Sequence, residues 1–271
     1  MNFIQILILG LISGLTEFLP LSSPGHQRLM MHLFGRSAMD PLCRFVLSIG
    51  TLAAVVTACS GQLRRILAER SIEQRGAKFR SYSVRRYDYR LVKSASTPIC
   101  VAYAIARLLR IPVGLPALTL AFLVGGIFLF VIGNMRQGNK DSGRMTKLDS
   151  LLIAIMGCLS LIPGFSLVGM TASAGIARGA QRQTALNWAL MISIPVLLVG
   201  IVMDLLLFAI GGTSLTFMGF LSCIVGAVFA YIGGRISIRL VRFAMNRSGL
   251  AGFSYYVWGA ALLTFTLFLI T

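Results

Sequence analysis

A single carboxylate set in an uncharged, apolar N-terminus constrains this chain more than any other feature. Residues 14–26 read Gly-Leu-Thr-Glu-Phe-Leu-Pro-Leu-Ser-Ser-Pro-Gly-His, and residues 1–13 carry no charged side chain. A carboxylate at membrane depth is expensive, so by default it faces a polar cavity and marks a functional site. Pro20 and Pro24 cannot continue a helix. Ser22, Ser23 and Gly25 supply the hydroxyls and backbone freedom of a polar turn. Irregular backbone at that depth is tolerated only where protein buries it or water lines it. Residues 3–35 therefore read as a re-entrant hairpin carrying a polar site.

A second copy begins at Gly157 and runs Gly-Cys-Leu-Ser-Leu-Ile-Pro-Gly-Phe-Ser to Ser166. Gly14 precedes Pro20 by the same six positions that separate Gly157 from Pro163, and Ser23 and Ser166 each follow their proline by three. Leu47-Ser48-Ile49-Gly50 has a counterpart in Ile192-Ser193-Ile194-Pro195. Paired apolar segments broken by Gly and Pro point to a binding site between two repeats.

Composition excludes a soluble domain. Of 271 residues 56% are hydrophobic and 12% charged, with mean hydropathy +0.83. That is a polytopic membrane protein. The N-terminus lacks the basic start and small-residue cleavage site of a signal peptide, and is kept in the fold. The net charge of +17 does not imply nucleic acid. The Lys and Arg residues sit between apolar segments, where anionic lipid headgroups and the excess of basic residues in cytoplasmic loops account for them. Cys43, Cys59, Cys100, Cys158 and Cys223 are dispersed without metal-ligand spacing, and with two His a zinc site is not expected.

The pattern predicts spans at 45–60, 94–110, 116–134, 184–210, 217–234 and 252–270, with the second hairpin at about 148–182. If each hairpin returns to the side it entered, loops 61–95, 135–148 and 235–251 share one face. They are the three basic loops, and residues 64–93 alone hold ten Lys or Arg against three acidic residues. In the third, Arg235, Arg239, Arg242 and Arg247 stand at near-helical spacing and read as a basic helix end. The shared face should be cytoplasmic. The hairpins then enter from opposite sides. The expected fold is an all-α polytopic membrane protein, with six transmembrane helices plus two opposed re-entrant helical hairpins in two inverted repeats. It forms one membrane domain, 1–271, with repeat one about 1–134 and repeat two about 148–271.

Glu17 and Asp204 are the two acidic residues inside apolar segments. Glu17 reads as a general base or metal-binding carboxylate, or as a glutamate bonded to its own loop. Asp204 fits helix packing as well as a site. His26 reads as a phosphate-oxygen donor or acid, or as a satisfied polar residue. Ser166, Gly169 and Thr171 offer hydroxyls and backbone N–H groups where a half-helix would aim its positive end at an anion. A plain helix-packing face is the other reading.

GLTEFLPLSSPGH, and PGFSLVGMT (163–171) followed by ALMISIPV (189–196), resemble the two signature regions of the undecaprenyl-pyrophosphate phosphatase (bacitracin-resistance) family. These are integral enzymes of the bacterial plasma membrane that regenerate the lipid carrier of cell-wall synthesis. The likeness covers most of the chain. It implies a polyprenyl phosphate or diphosphate as partner. Glu17, His26 and Ser166 would be catalytic, with Ser22, Ser23, Gly25, Arg28, Gly164, Gly169 and Thr171 binding substrate. A divalent cation (Mg or Ca) at Glu17 goes with a hydrolytic protein. Two charged groups of the family pattern are missing. Ser13 stands where the first of two glutamates should be, and Leu167 where an Arg follows the Ser of Pro-Gly-x-Ser; Val168 replaces the next Ser. The departures favour a protein that binds or translocates the lipid with weak or no hydrolysis, the alternative being an active undecaprenyl-diphosphate phosphatase. Arg28, Arg178 and Arg182 are the candidate replacement cations. The oligomeric state, monomer or homodimer, is left open.

Overall fold

A computed structural model describes all residues except 75–85, 110–112, 137, 141–143, 212–216, 248 and 271. Among the described residues the chain forms eleven helices and no named strand: α1 Phe3–Phe18, α2 Ser23–Leu33, α3 Pro41–Ala58, α4 Ser60–Gln74, α5 Arg86–Leu109, α6 Leu115–Gly133, α7 Lys147–Leu159, α8 Leu167–Ala177, α9 Arg182–Gly211, α10 Phe217–Arg247 and α11 Ala251–Ile270. Within the basic stretch, Arg75, Lys78, Arg80 and Arg85 lie outside the described residues.

Among the described residues five helices, α3, α6, α9, α10 and α11, are long and apolar enough to cross a membrane. The fold is that of an all-helical, multi-pass membrane protein. Its outer surface agrees with this. Leu120, Val124, Ile127 and Val131 on α6, and Leu262, Phe265 and Leu269 on α11, are exposed, which water would penalise and lipid tails would not. The interior is mixed. Phe18, Phe122, Leu118, Leu186, Leu190 and Ile192 are fully buried, among buried hydroxyls. Many of those hydroxyls close onto their own helices, as Thr16 Oγ1 does on the Ile12 carbonyl (2.7 Å) and Ser193 Oγ on that of Leu190 (2.8 Å).

The packing is organised by close backbone contacts. α1 lies against α10 so tightly that a Cβ on Gly14 would run into the Ala230 carbonyl. Small residues permit such approach between membrane helices. α3 also packs on α10; α5 packs on α7 and α9; α3 meets α9 and α6 meets α11.

The helix from Phe217 runs past the expected end of the span at Gly234 to Arg247, so the arginines form a basic helix end as their spacing suggests. Its basic extension is anchored, with Arg235 donating to Thr57 Oγ1 (3.2 Å) and Arg242 to Cys59 Sγ (3.2 Å). The loop expected over 61–95 needs correction, since α4 occupies Ser60–Gln74 and α5 already starts at Arg86.

Candidate functional site

Both breaks that the sequence singles out are real and they meet. α1 ends at Phe18 and α2 starts at Ser23; α7 ends at Leu159 and α8 starts at Leu167. Ser22 caps α2 by accepting from the Gly25 N–H (3.3 Å), and Ser166 caps α8 by accepting from the Gly169 N–H (3.2 Å). Each cap also grips the other break. The Gly164 N–H donates to Ser22 Oγ (3.0 Å), and Ser166 Oγ donates to the Leu19 carbonyl (3.1 Å). The structural partner of Ser166 is thus Ser22, not the Ser23 that proline spacing pairs with it. Pro24, in the first turn of α2, needs no amide partner and fits a helix start there.

The local backbone is strained to make this clasp. Ser22 has φ of +69°, the one non-glycine residue among those described in the left-handed region, and Gly164 has φ of +115°. Such strain persists only where the surroundings over-determine it, and it clusters at functional sites.

Around the clasp stand the predicted residues. Glu17, in the last turn of α1, keeps part of its surface exposed. The Ser23 hydroxyl lies between the Glu17 carboxylate and the Ser13 carbonyl (3.4 Å), and donates to one at a time. Gln27 was not anticipated. Its Nε2 donates to Ser13 Oγ and to Ser23 Oγ, both at 3.1 Å. Thr171 Oγ1 turns back on the Leu167 carbonyl (2.7 Å) and acts within its own helix. A Cβ on Gly25 would meet the Phe122 ring, and one on Gly169 the Pro20 ring, so both glycines serve close packing.

His26 is buried on the other side of α2. Its Nδ1 contacts the Ser22 carbonyl (2.9 Å), an acceptor only, so Nδ1 carries a proton; in the neutral ring Nε2 then accepts from Tyr256 Oη (3.1 Å). The ring stacks on Tyr256 and meets the edge of Phe122.

A cavity of about 410 Å³ opens beside the breaks. From α2 it takes Pro24, Gln27, Arg28 and Met31, one helical face at i, i+3, i+4 and i+7 spacing. Arg44 of α3, Tyr103 and Arg107 of α5, and Ser160, Leu161 and Pro163 of the second break complete much of the wall. Arg107 is close enough to Glu17 for their charges to attract. Of the three arginines named as replacement cations, only Arg28 lines this cavity. Arg178 is paired with buried Asp149, and Arg182 donates to the carbonyls of Gly133 and Met135, each at 3.3 Å.

A divalent cation at Glu17 would find one protein carboxylate and would take its other ligands from water and substrate phosphates. Glu17 is a lone carboxylate, Gln27 aims N–H groups at the neighbouring hydroxyls, and no group of three metal-ligating side chains exists among the described residues. Hard cations ask for several oxygen ligands.

Fold and site together define a multi-pass helical membrane protein with two broken helical elements clasped around a polar centre. The chain matches the family described as Bacitracin resistance protein BacA over residues 6–263 and belongs to it. It is 28% identical over 271 residues to an undecaprenyl-diphosphatase of Carboxydothermus hydrogenoformans, covering 95% of this chain and 94% of that protein. It is 29% identical over 281 residues to undecaprenyl-diphosphatase 4 of Bacillus thuringiensis subsp. konkukian, covering 98% of both. An undecaprenyl-diphosphatase of Corynebacterium glutamicum is 29% identical over 258 residues, 91% of this chain and 84% of that protein.

Proposed function

We propose that this chain binds or translocates the polyprenyl phosphate or diphosphate carrier lipid of cell-wall synthesis at the clasped breaks, in the bacterial plasma membrane, with weak or no hydrolysis of the diphosphate. The reciprocal hold of Ser22 and Ser166 is the observation that carries this reading. It fixes a polar centre, with Glu17, Ser23 and Gln27 at hand, beside a cavity able to take a phosphate group. The relatives' names supply the lipid. Weak hydrolysis follows from Ser13, whose hydroxyl is occupied by Gln27, and from Leu167, which brings no charge to the start of α8.

Six spans and two opposed hairpins in inverted repeats belong to the same proposal, α5 being the sixth span. Exchanging the halves carries the packing of α1 on α10 onto that of α7 on α5, and α3 on α10 onto α9 on α5. This supports the repeat. The arginines of the cavity lie at the start of α3 and the end of α5, away from the basic stretches after α6 and within α10. The cavity then opens to the outer face. Cysteines introduced at Lys140 and Arg242 are expected to react only with reagents reaching the cytoplasm, and one at Ala38 only from outside. Outside labelling of Lys140 or Arg242 would overturn the arrangement.

Binding is tested with Ser23→Ala and Ser166→Ala. Loss of a hydrogen bond to a charged group is worth about 1.5–3 kcal/mol, or about tenfold or more in affinity. Polyprenyl phosphate is expected to bind both variants more weakly. Unchanged affinity in both removes the site from the breaks.

A second reading is favoured by one observation. Arg28, Arg44 and Arg107 line a cavity next to Glu17, and cations there offset phosphoryl charge. On that reading the protein is an active diphosphatase with a relocated cation. Phosphate release separates the two.

A further inference from the structure

Asp204 of α9 is a buried carboxylate with two cations and one oxygen to spare. Arg44 Nη1 lies 3.3 Å and Arg107 Nη1 3.2 Å from the same oxygen, Oδ1, and the other oxygen has no hydrogen-bond partner. The Asp204 side chain is 0% exposed, whereas the two arginines are 21% and 22% exposed and face the cavity. Each guanidinium is aimed by a second bond, Arg44 Nη2 to the Met39 carbonyl (3.1 Å) and Arg107 Nη2 to Tyr103 Oη (2.8 Å).

A structural ion pair would need one arginine. Two against one carboxylate leave a surplus positive charge, and placing like charges side by side away from bulk water is costly. Arg28 on the same wall adds another. Three arginines against Asp204 and the nearby Glu17 leave a net +1 around a cavity of about 410 Å³. An arginine offers five donors in a planar fork suited to phosphate, and each of these two spends one on Asp204 and one on its aiming oxygen.

We propose that Arg44 and Arg107, aimed by Asp204 and joined by Arg28, form an anion subsite that takes a phosphate or diphosphate group. Asp204 positions the arginines and does not touch the ligand. The subsite rests on the lipid-phosphate reading for one of its two sources, the headgroup of a polyprenyl diphosphate. The other is free inorganic pyrophosphate.

The sharing of one carboxylate makes the test decisive, because either single substitution still leaves Asp204 one arginine. The purified full chain, Arg107→Gln and Arg44→Gln are titrated calorimetrically with farnesyl diphosphate and with inorganic pyrophosphate, and melted without ligand. Both variants are expected to melt no lower than the unmodified protein and to bind at least one ligand about tenfold or more weakly. Loss confined to farnesyl diphosphate assigns the subsite to the lipid headgroup, and loss confined to pyrophosphate to the free anion. A lowered melting point with affinity for both ligands unchanged would make the arginines structural and overturn the subsite. So would an unmodified protein that binds neither. Weakened lipid binding in Ser23→Ala beside unchanged Arg44→Gln and Arg107→Gln leaves the lipid reading standing and removes only the subsite. Pyrophosphate binding that needs the arginines, with no lipid binding at all, does the reverse.

Discussion

Gly164→Val is expected to cost several kcal/mol and to open the clasp between the two breaks. At φ of +115° a β-branched residue is strained, which costs about 1–3 kcal/mol. Its Cβ would also sit 2.5 Å from the Ala121 Cβ and 3.1 Å from the Ala121 carbonyl carbon on α6. Overpacking of a tight interior costs about 1–3 kcal/mol more. The Gly164 N–H that now reaches Ser22 Oγ would be pulled away. Melting in detergent should show a large loss for Gly164→Val. Gly61→Val should show a small one, because nothing lies within 4 Å of a Cβ there. Equal melting points for the two would mean that the break does not depend on this backbone.

The breaks and most helix limits were legible because local chemistry dictates them. Proline cannot propagate a helix, and an apolar run bounded by Gly, Pro or charge has to span or stop. The sequence accordingly places spans at 116–134 and 252–270, against Leu115–Gly133 and Ala251–Ile270 in the structure. The near-helical spacing of Arg235, Arg239, Arg242 and Arg247 reads as a basic helix end, and the helix carries Arg235 and Arg242 on to contacts with Thr57 and Cys59 at the end of α3. The reading fails at α4, whose charged residues look like a loop.

The arginine cluster was invisible for a different cause. Arg44 and Arg107 lie 160 and 97 positions from Asp204, and no motif spans such distances. A signal did exist. Arg44, Arg107 and Asp204 are charges near the ends of separate apolar segments, and strict alternation of spans puts all three ends on one side. Gln27 gave no signal, since its role depends on Ser13 sitting one hairpin arm away. His26 was legible as a motif residue, but the sequence did not say that it faces Tyr256 of α11.

The largest expected effect concerns hydrolysis. Cleaving a diphosphate requires the charge on the transferring phosphoryl oxygens to be offset and the nucleophile to be activated. The family resemblance implies a second carboxylate at position 13, where this chain has a serine whose hydroxyl accepts from Gln27. Leu167 opens α8 without a cation. Loss of one transition-state contact costs about 10²–10³ in rate, and two are absent. Arg107 attracts Glu17 and is held by Asp204, so its charge is shared before any substrate arrives. Introducing Ser13→Glu and Leu167→Arg together is therefore expected to raise phosphate release by about 10²-fold or more. Glu17→Gln in the unmodified chain should impair lipid handling with little turnover left to lose.

The measurement that tests this account most directly is phosphate release from a polyprenyl diphosphate by the purified, unmodified protein. It is run with and without added magnesium or calcium, beside the Ser13→Glu, Leu167→Arg double variant. The account predicts slow release by the unmodified protein under both conditions and a large gain in the double variant. Release by the unmodified protein at about 1–10³ per second, abolished by Glu17→Gln, would contradict it.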